Sequence, residues 1–152
     1  MSDVGDAAAD DAGVAPETLA ALDVAGEASR RAPADRDAQE KLWRAVLGLD
    51  RWFFLARGSD DQPTPFATNT DDGAVLFAFS TEERAHAAGV EFGMTEEEAR
   101  RMLVVPLPGA AVWVAAFAES GVDALVFDAP INGAMTPLTN LAAMAVWISE
   151  HP

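Results

Sequence analysis

Residues 76–85, which read LFAFSTEERA, join an apolar run to a charged segment and so mark the passage from a strand to a helix. Ser80 stands three residues before Glu83, and this is the spacing of a capping box. In that motif the Ser80 hydroxyl accepts from the backbone N–H of Glu83, and the Glu83 carboxylate accepts from the backbone N–H of Ser80. The sequence therefore predicts that Ser80 and Glu83 are structural caps, and it predicts a second capping box at Thr95 and Glu98.

Upstream of this stretch the sequence predicts a helix followed by three strands. The helix begins near Asp37, with this residue or a neighbour as its cap, and Gly48 lies where it should end. Residues 51–57 form an apolar run with charged ends, which favours a strand buried on both faces. Two further strands, at residues 65–68 and 74–79, are separated by an Asp-Gly pair that is typical of a hairpin.

Downstream, the pattern predicts a strand at residues 103–107, a helix at 110–118 and a strand at 122–128. The alternative for the middle segment is a strand through residues 112–114, but its length and alanine content favour the helix. Because a strand, helix and strand in succession form a right-handed crossover, we expect the last strand to lie parallel to its predecessor.

The C-terminal part completes the predicted fold. Thr136 and Pro137 are expected to cap and start a final helix. Its buried face would carry Leu138, Leu141, Ala145 and Ile148. The prediction is a single-domain α/β (α+β) fold, in which a mixed sheet of about five strands is flanked by helices.

Residues 1–36 differ in composition from the rest of the chain. They are rich in alanine and aspartate and hold no aromatic residue, so the sequence predicts a disordered acidic tail before an α/β domain at residues 37–152. A short helix at residues 16–25 is compatible with the spacing of Leu19 and Leu22, but it should be marginal without a partner surface. Deleting the tail is therefore expected to leave the melting transition nearly unchanged.

The composition argues against several classes of function. The 152-residue chain has no cysteine and only two histidines, which removes thiolate catalysis and disfavours a zinc site. Its net charge of −15 argues against nucleic acid and acidic lipid surfaces as partners. The apolar runs are too short for a membrane span, and the N-terminus lacks the pattern of a signal peptide, so we expect a cytoplasmic location.

Two groups of residues deserve comparison with known catalytic and metal sites. A Ser/His/Asp site would need Ser80, His86 and either Asp71 or Asp72. However, no Gly-x-Ser-x-Gly motif surrounds the serine, and the histidine lies about 240° round the predicted helix from it. The consecutive acids at residues 96–98 point in different directions on a helix, which disfavours a metal site. We predict no catalytic residue, no metal and no cofactor.

The tryptophans have two interpretations. Their positions on predicted helices and a strand favour packing in the core, whereas the enrichment of tryptophan at interfaces favours a recognition surface. In the second interpretation the loops at residues 60–63 and 130–136 frame a shallow groove. The residues of this predicted recognition surface are Trp52, Trp113, Asp128 and Asn132.

Two short segments resemble, in their order along the chain, the N-terminal domain of the SseB family, a group of small bacterial α/β proteins named after enhanced serine sensitivity. Residues 79–83, FSTEE, are similar to a phenylalanine-threonine-serine-x-glutamate segment of that family, with the hydroxyl residues exchanged. Residues 125–130, LVFDAP, are similar to a strand ending in asparagine-proline, with departures at Asp128 and Ala129. The resemblance spans residues 37–148 and implies a mixed α/β fold with a non-catalytic role. A type III secretion label that is attached to the family is not extended to this chain.

These observations lead to one main hypothesis and two alternatives. The main hypothesis is a non-enzymatic binding or regulatory module with an unknown protein or small-molecule partner. The first alternative is an assembly or secretion accessory protein that acts as a homodimer, because the last helix is amphipathic. The second alternative is a hydrolase of unknown substrate.

Overall fold

The structure is a computed structural model that describes residues 14–59, 61–71, 73–129 and 133–151. These residues form six α-helices and seven strands. The helices are α1 (Pro16–Arg31), α2 (Arg36–Leu47), α3 (Glu82–Glu91), α4 (Glu96–Ala99), α5 (Gly109–Ala116) and α6 (Leu138–Glu150), with a 3-10 turn at Phe117–Ser120. The strands are β1 (Arg51–Gly58), β2 (Pro63–Pro65), β3 (Ala67–Thr70), β4 (Gly73–Ala78), β5 (Met102–Pro106), β6 (Val122–Phe127) and β7 (Ala134–Pro137).

Two sheets, ordered β2-β1-β5 and β3-β4-β6-β7, meet at one pair of phenylalanines. The N–H of Phe53 donates to the carbonyl oxygen of Phe79 at 2.9 Å, and the N–H of Phe79 donates back at 2.8 Å. Through this bridge, β5, β1, β4, β6 and β7 follow one another, with β4 and β6 parallel and the other pairs antiparallel. The predicted fold class is confirmed.

The strand predicted at residues 65–68 is two strands, because the chain changes partner at Phe66. Before this residue β2 pairs with β1, and after it β3 pairs with β4. The N–H of Phe66 donates to Leu55 at 2.8 Å, and its carbonyl oxygen accepts from Phe77 at 3.2 Å. The β2–β3 segment therefore connects the two sheets a second time, and β3 and β4 form the hairpin that the Asp-Gly pair predicts.

The predicted neighbour of β6 is wrong. This strand lies parallel to β4, with Leu125 opposite Leu76, whereas β5 pairs antiparallel with β1. The rule for crossovers fixes the handedness of a connection and not which strand receives it. β4 is apolar and buried over most of its length, so a parallel neighbour on its open edge completes its hydrogen bonding inside the core.

The core lies on both faces of β1, as its continuous apolar run predicts. Trp52 and Phe54 pack on the side covered by α1, α2, α5 and α6, while Phe53 and Leu55 pack on the side covered by α3. The indole N–H of Trp52 donates to the carbonyl oxygen of Val46 at 2.9 Å, so even its polar atom is used internally.

The prediction of a disordered tail is wrong for residues 16–31, which form α1. Leu22 is fully buried in the core cluster, and the helix packs against α2. Gln39 donates from its side-chain amide to the hydroxyl of Ser29 at 2.6 Å, which further joins the two helices. The average composition of the segment conceals one apolar edge that has a partner surface in α2. Residues 1–13 of the predicted tail lie outside the described residues.

Several helix ends differ from the prediction by one or two residues. Asp35 caps α2 by accepting from the N–H of Asp37, and Gly48 follows the helix as predicted. Thr136 does not cap the last helix, because it lies in β7 opposite Leu125 and is buried there. None of the helices in the described ranges has the length and apolar composition needed to cross a bilayer.

We expect Leu22→Ala to lower the free energy of unfolding by about 2–4 kcal/mol, because it removes a fully buried side chain and leaves a cavity between α1 and the core. Urea unfolding followed by circular dichroism measures the change. Val24→Ala is the matched control, since Val24 lies on the same helix and is 69% exposed. Equal stability of the two variants would contradict the packing of α1.

Candidate functional site

The carboxyl ends of the parallel strands β4 and β6 lie next to each other, and each is followed by a polar residue. Ser80 comes after β4, and Asp128 comes directly after β6. The N–H of Asp128 donates to the carbonyl oxygen of Ala78 at 2.9 Å, which extends the pairing of the two strands. Asp128 has φ 55, in the left-handed region that aspartate tolerates better than most residues. This edge of the sheet is where ligands bind in many α/β folds, so it is the first candidate site.

Three donors converge on the fully buried carboxylate of Asp128. The backbone N–H of Ser80 donates to one oxygen at 2.7 Å, and the hydroxyl of Ser80 donates to the other at 2.7 Å. Arg84 donates to that second oxygen at 2.8 Å. Hydrogen bonds and a cation are what a buried carboxylate requires, so the group is satisfied without any ligand.

Arg84 also binds a second carboxylate. Its two terminal nitrogens donate to the two oxygens of Asp23 at 2.9 and 2.8 Å, in the bidentate geometry that suits a guanidinium. The arginine side chain is only 13% exposed. It therefore connects α1, the first turn of α3 and the end of β6. We call Asp23, Ser80, Arg84 and Asp128 the Arg84 network.

The electrostatics of the network follow from burial and from these contacts. Burial raises the pKa of the Asp128 carboxyl, and the hydrogen bonds from Ser80 and the charge of Arg84 oppose that rise without cancelling it. The hydrogen bond with Asp23 raises the pKa of Arg84 further, so the guanidinium keeps its charge. One cation thus lies between two carboxylates.

The predicted capping box at Ser80 and Glu83 is wrong. Helix α3 begins one residue later than predicted, and Thr81 is its cap, with the hydroxyl accepting from the N–H of Arg84 at 3.0 Å. The N–H of Ser80, which Glu83 was expected to bind, donates to Asp128 instead. Capping-box spacing selects Ser80, because Glu83 stands three residues on, whereas Thr81 has Arg84 at that position; the structure nevertheless caps the helix with the hydroxyl of Thr81.

The capping box at Thr95 and Glu98 is confirmed. The N–H of Thr95 donates to the Glu98 carboxylate at 2.9 Å, and the N–H of Glu98 donates to the Thr95 hydroxyl at 3.1 Å. The backbone hydrogen bond from Thr95 lowers the pKa of Glu98. Glu96, Glu97 and Glu98 thus lie in the first turn of the helix, where negative charge is favourable. Within the described ranges, no group of three or more His, Asp or Glu residues could hold a metal ion.

The Arg84 network lacks the arrangement of a nucleophilic site. A catalytic serine needs an exposed hydroxyl next to a base, whereas the Ser80 hydroxyl is fully buried and donates to a carboxylate. The ring of His86 lies elsewhere, with Nδ1 3.3 Å from the carbonyl oxygen of Ala99 and Nε2 3.4 Å from Glu96. Of the two aspartates considered as third members, Asp71 is exposed and Asp72 lies outside the described residues.

The predicted recognition surface is not formed by the residues named for it. Trp52 and Asp128 are fully buried, so neither can contact a partner. Trp113 is half-buried and lies edge-on between Phe54 and Phe117, with ring centroids 5.1 and 5.2 Å away. Asn132 lies outside the described residues, as do parts of the two loops expected to frame the groove. The core interpretation of Trp52 is therefore correct.

A different surface, on α6 and the neighbouring α5, carries three of the eight large apolar side chains that are exposed among the described residues. The sequence pattern predicted only the inner, buried side of this helix. Helix α6 lies on the outside of the molecule, where Val146 is 58% and Trp147 is 42% exposed. On the neighbouring helix α5, Val112 is 68% exposed. We define the α6 face as the exposed residues Thr139, Ala142, Ala143, Val146 and Trp147.

The α6 face has a sequence signal in its lack of charge. Residues 102–149 contain only three carboxylates, at Glu119, Asp123 and Asp128, and neither lysine nor arginine, although 23% of the whole chain is charged. Helix α6 is uncharged from Leu138 to Ser149. An ordinary surface helix has a charged outer side, and this one does not.

Trp147 occupies the edge of the α6 face that lies nearest to α2. The guanidinium carbon of Arg44 is 5.0 Å from the centre of its ring, which is the distance of a cation–π contact. The ring of His151 stacks on it with a centroid distance of 4.3 Å. These contacts orient the indole at one edge, and the rest of the α6 face consists of smaller residues, namely Thr139, Ala142, Ala143 and Val146.

Two concavities lie near α1, and neither is lined by a residue of the Arg84 network. An open groove of about 400 Å³ runs between α1 and α2 and is lined mostly by alanines, with Val24 and Lys41. A smaller cleft of about 180 Å³ lies between the start of α1 and the start of β1. Small-molecule sites combine apolar walls with several convergent polar groups, and the larger groove offers one lysine.

Comparisons with known proteins give no match to a family model, to a curated protein or to a solved structure. The resemblance to the SseB family rests on the two short segments described above and stays a prediction.

We expect Arg84→Met to lower the free energy of unfolding by about 3–5 kcal/mol, because it leaves the buried Asp128 carboxylate without its cation. Adding Asp128→Asn to this variant should recover part of the loss. Arg100→Met is the control, since Arg100 is 74% exposed in its pair with Glu96 and should cost less than about 1 kcal/mol. Urea unfolding measures all four proteins, and equal losses in the two arginine variants would disprove the role of the network.

The raised pKa of Asp128 also predicts the sign of a pH dependence. The folded chain binds this proton more tightly than the unfolded chain, so the stabilisation is complete below the unfolded pKa of about 3.9 and is lost as pH rises through the folded pKa. The free energy of unfolding of the wild type, measured relative to Asp128→Asn, should therefore fall as pH rises above about 4. A difference that grows with pH in urea titrations would mean that the folded pKa is depressed.

Proposed function

We propose that this chain is a non-enzymatic protein-binding module that acts through the α6 face. One observation carries the proposal: a helix on the outside of a strongly acidic molecule has no charged side chain between Leu138 and Ser149. The exposed polar residues in this span, Thr139, Asn140 and Ser149, are all uncharged, whereas the outer side of a surface helix normally carries charged residues. The inner side of α6 is buried against the core through Leu138 and Leu141, so its outer side is suited to burial by a partner.

The composition of the α6 face resembles the centre of a protein interface. Such centres are depleted in charged residues and enriched in aromatic ones, and tryptophan is frequent among the residues that dominate binding energy. Trp147 supplies the aromatic group, and Val146 supplies a second large apolar side chain next to it. Arg44, which has a contact with Trp147 and an ion pair with Glu40, provides the polar margin that interfaces have at their rim.

The Arg84 network supports the non-catalytic part of the proposal. Its serine and its buried aspartate are fully used in contacts with one another and with Arg84. A substrate would have to replace the hydrogen bonds of a buried carboxylate in order to reach the hydroxyl, which is costly. These side chains are therefore better explained as the support of the fold than as reacting groups.

The proposal predicts that a charge introduced on the α6 face weakens binding. Immobilised wild-type chain and Val146→Glu, exposed to native lysate, should differ in the proteins they retain, because a carboxylate at the centre of an apolar interface is not compensated. Val24→Glu is the matched control on α1, where the valine is 69% exposed against 58% for Val146, and it should retain the wild-type set. Quantitative mass spectrometry of the eluates measures this, and identical sets from all three baits would refute the proposal.

A further inference from the structure

We propose that the partner on the α6 face is a second copy of this chain, which packs its own α6 antiparallel to the first. This inference rests on the proposed binding role of the α6 face and adds the identity of the partner. Three features of the described residues support it, namely the distribution of charge, the two ends of the helix and the sizes of the side chains along its exposed line.

The distribution of charge favours association at this part of the molecule. Two copies with a net charge of −15 each repel one another wherever their acidic surfaces meet. Residues 102–152 hold four of the 25 carboxylates, so the repulsion is weakest where α5 and α6 are exposed. A basic partner, in contrast, would find no carboxylate between Leu138 and Ser149 with which to pair. A second uncharged surface is the complementary one.

Both ends of α6 lack the charges that usually complement a helix dipole. Its first turn has no acidic residue and, within the described parts of the chain, no side chain caps it; its last turn has no basic residue. Glu150 instead lies at the carboxyl end, where a negative charge is unfavourable. Antiparallel pairing corrects both ends at once, because it brings Glu150 of each copy to the amino end of the other helix.

The exposed line of α6 is self-complementary in this orientation. Thr139, Ala143, Val146 and Glu150 follow each other at i, i+4, i+7 and i+11 and so lie along one side of the helix. In an antiparallel pair with Ala143 opposite Val146 of the other copy, the small side chain receives the large one. The same register places Thr139 opposite Glu150, beside the uncapped first turn. Each contact then occurs twice about the two-fold axis, as an isologous dimer requires.

The first test is the mass of the particle in solution. Light scattering of the wild type should give twice the chain mass of 16.0 kDa at micromolar concentration, and Val146→Glu should give the chain mass. Val24→Glu adds the same charge away from the α6 face and should keep the double mass. Melting curves of both variants separate dissociation from unfolding. A wild type that stays at the chain mass up to high concentration would overturn the inference.

The second test measures the register, and the absence of native cysteine gives it a clean background. An equimolar mixture of the single variants Ala143→Cys and Val146→Cys should form a disulfide-linked heterodimer on mild oxidation, because the thiol of one copy faces the thiol of the other. Single variants are used because two cysteines three residues apart on one helix can pair within one chain. Val24→Cys should stay uncrosslinked under the same conditions. A double-mass wild type without crosslinking of the mixed single variants would overturn antiparallel pairing through α6.

The two proposals can fail separately. If the wild type has the chain mass and its eluates from lysate still differ from those of Val146→Glu, the α6 face binds a different protein and only the dimer is disproved. If Val146→Glu changes neither the mass nor the retained proteins, the binding role of the α6 face is disproved together with the dimer.

Discussion

Arg84 lies between two carboxylates that come from distant parts of the chain, and the arrangement of the fold around it follows from the burial of Asp128. A carboxylate with no exposed surface must find donors and a cation inside the protein. Ser80 at the end of β4 supplies two donors, and α3 supplies the cation from its first turn. The same guanidinium then binds Asp23 and fixes α1 to the domain. One buried charge thus accounts for the contacts that join the ends of β4 and β6, the first turn of α3 and the N-terminal helix α1.

Local features of the fold could be predicted from the sequence because they depend on neighbouring residues. The doubly buried run of β1, the Asp-Gly hairpin and the capping box at Thr95 are examples of such features. The pairing of β6 with β4 and the contact between Ser80 and Asp128 join residues 48 or 49 positions apart, and sequence periodicity does not predict such contacts. For Ser80 the capping-box rule gave a different answer from the structure, because Thr81 caps the helix as a simple N-cap and Ser80 binds the buried carboxylate.

The errors at α1 and at the α6 face have a common physical origin. The average composition of residues 1–36 is too polar to predict a folded segment, although Leu22 is fully buried in the core and Leu19 and Ala25 pack beside it. Conversely, the sequence prediction assigned apolar residues of α6 to one buried side only, although Val146 and Trp147 are exposed on its outer side. In both helices the useful comparison is between the apolar residues on each side of the helix and the protein surface that can cover that side.

The four tryptophans differ in environment, and this gives the molecule an intrinsic optical probe. Trp43 and Trp52 are buried, and Trp113 lies between two phenylalanine rings, whereas Trp147 reaches solvent between Arg44 and His151. Acrylamide should therefore quench the emission of Trp147 in preference to that of the buried indoles. Any event that covers the last helix would shift this one fluorophore to shorter wavelength, while loss of the core would shift all four to longer wavelength.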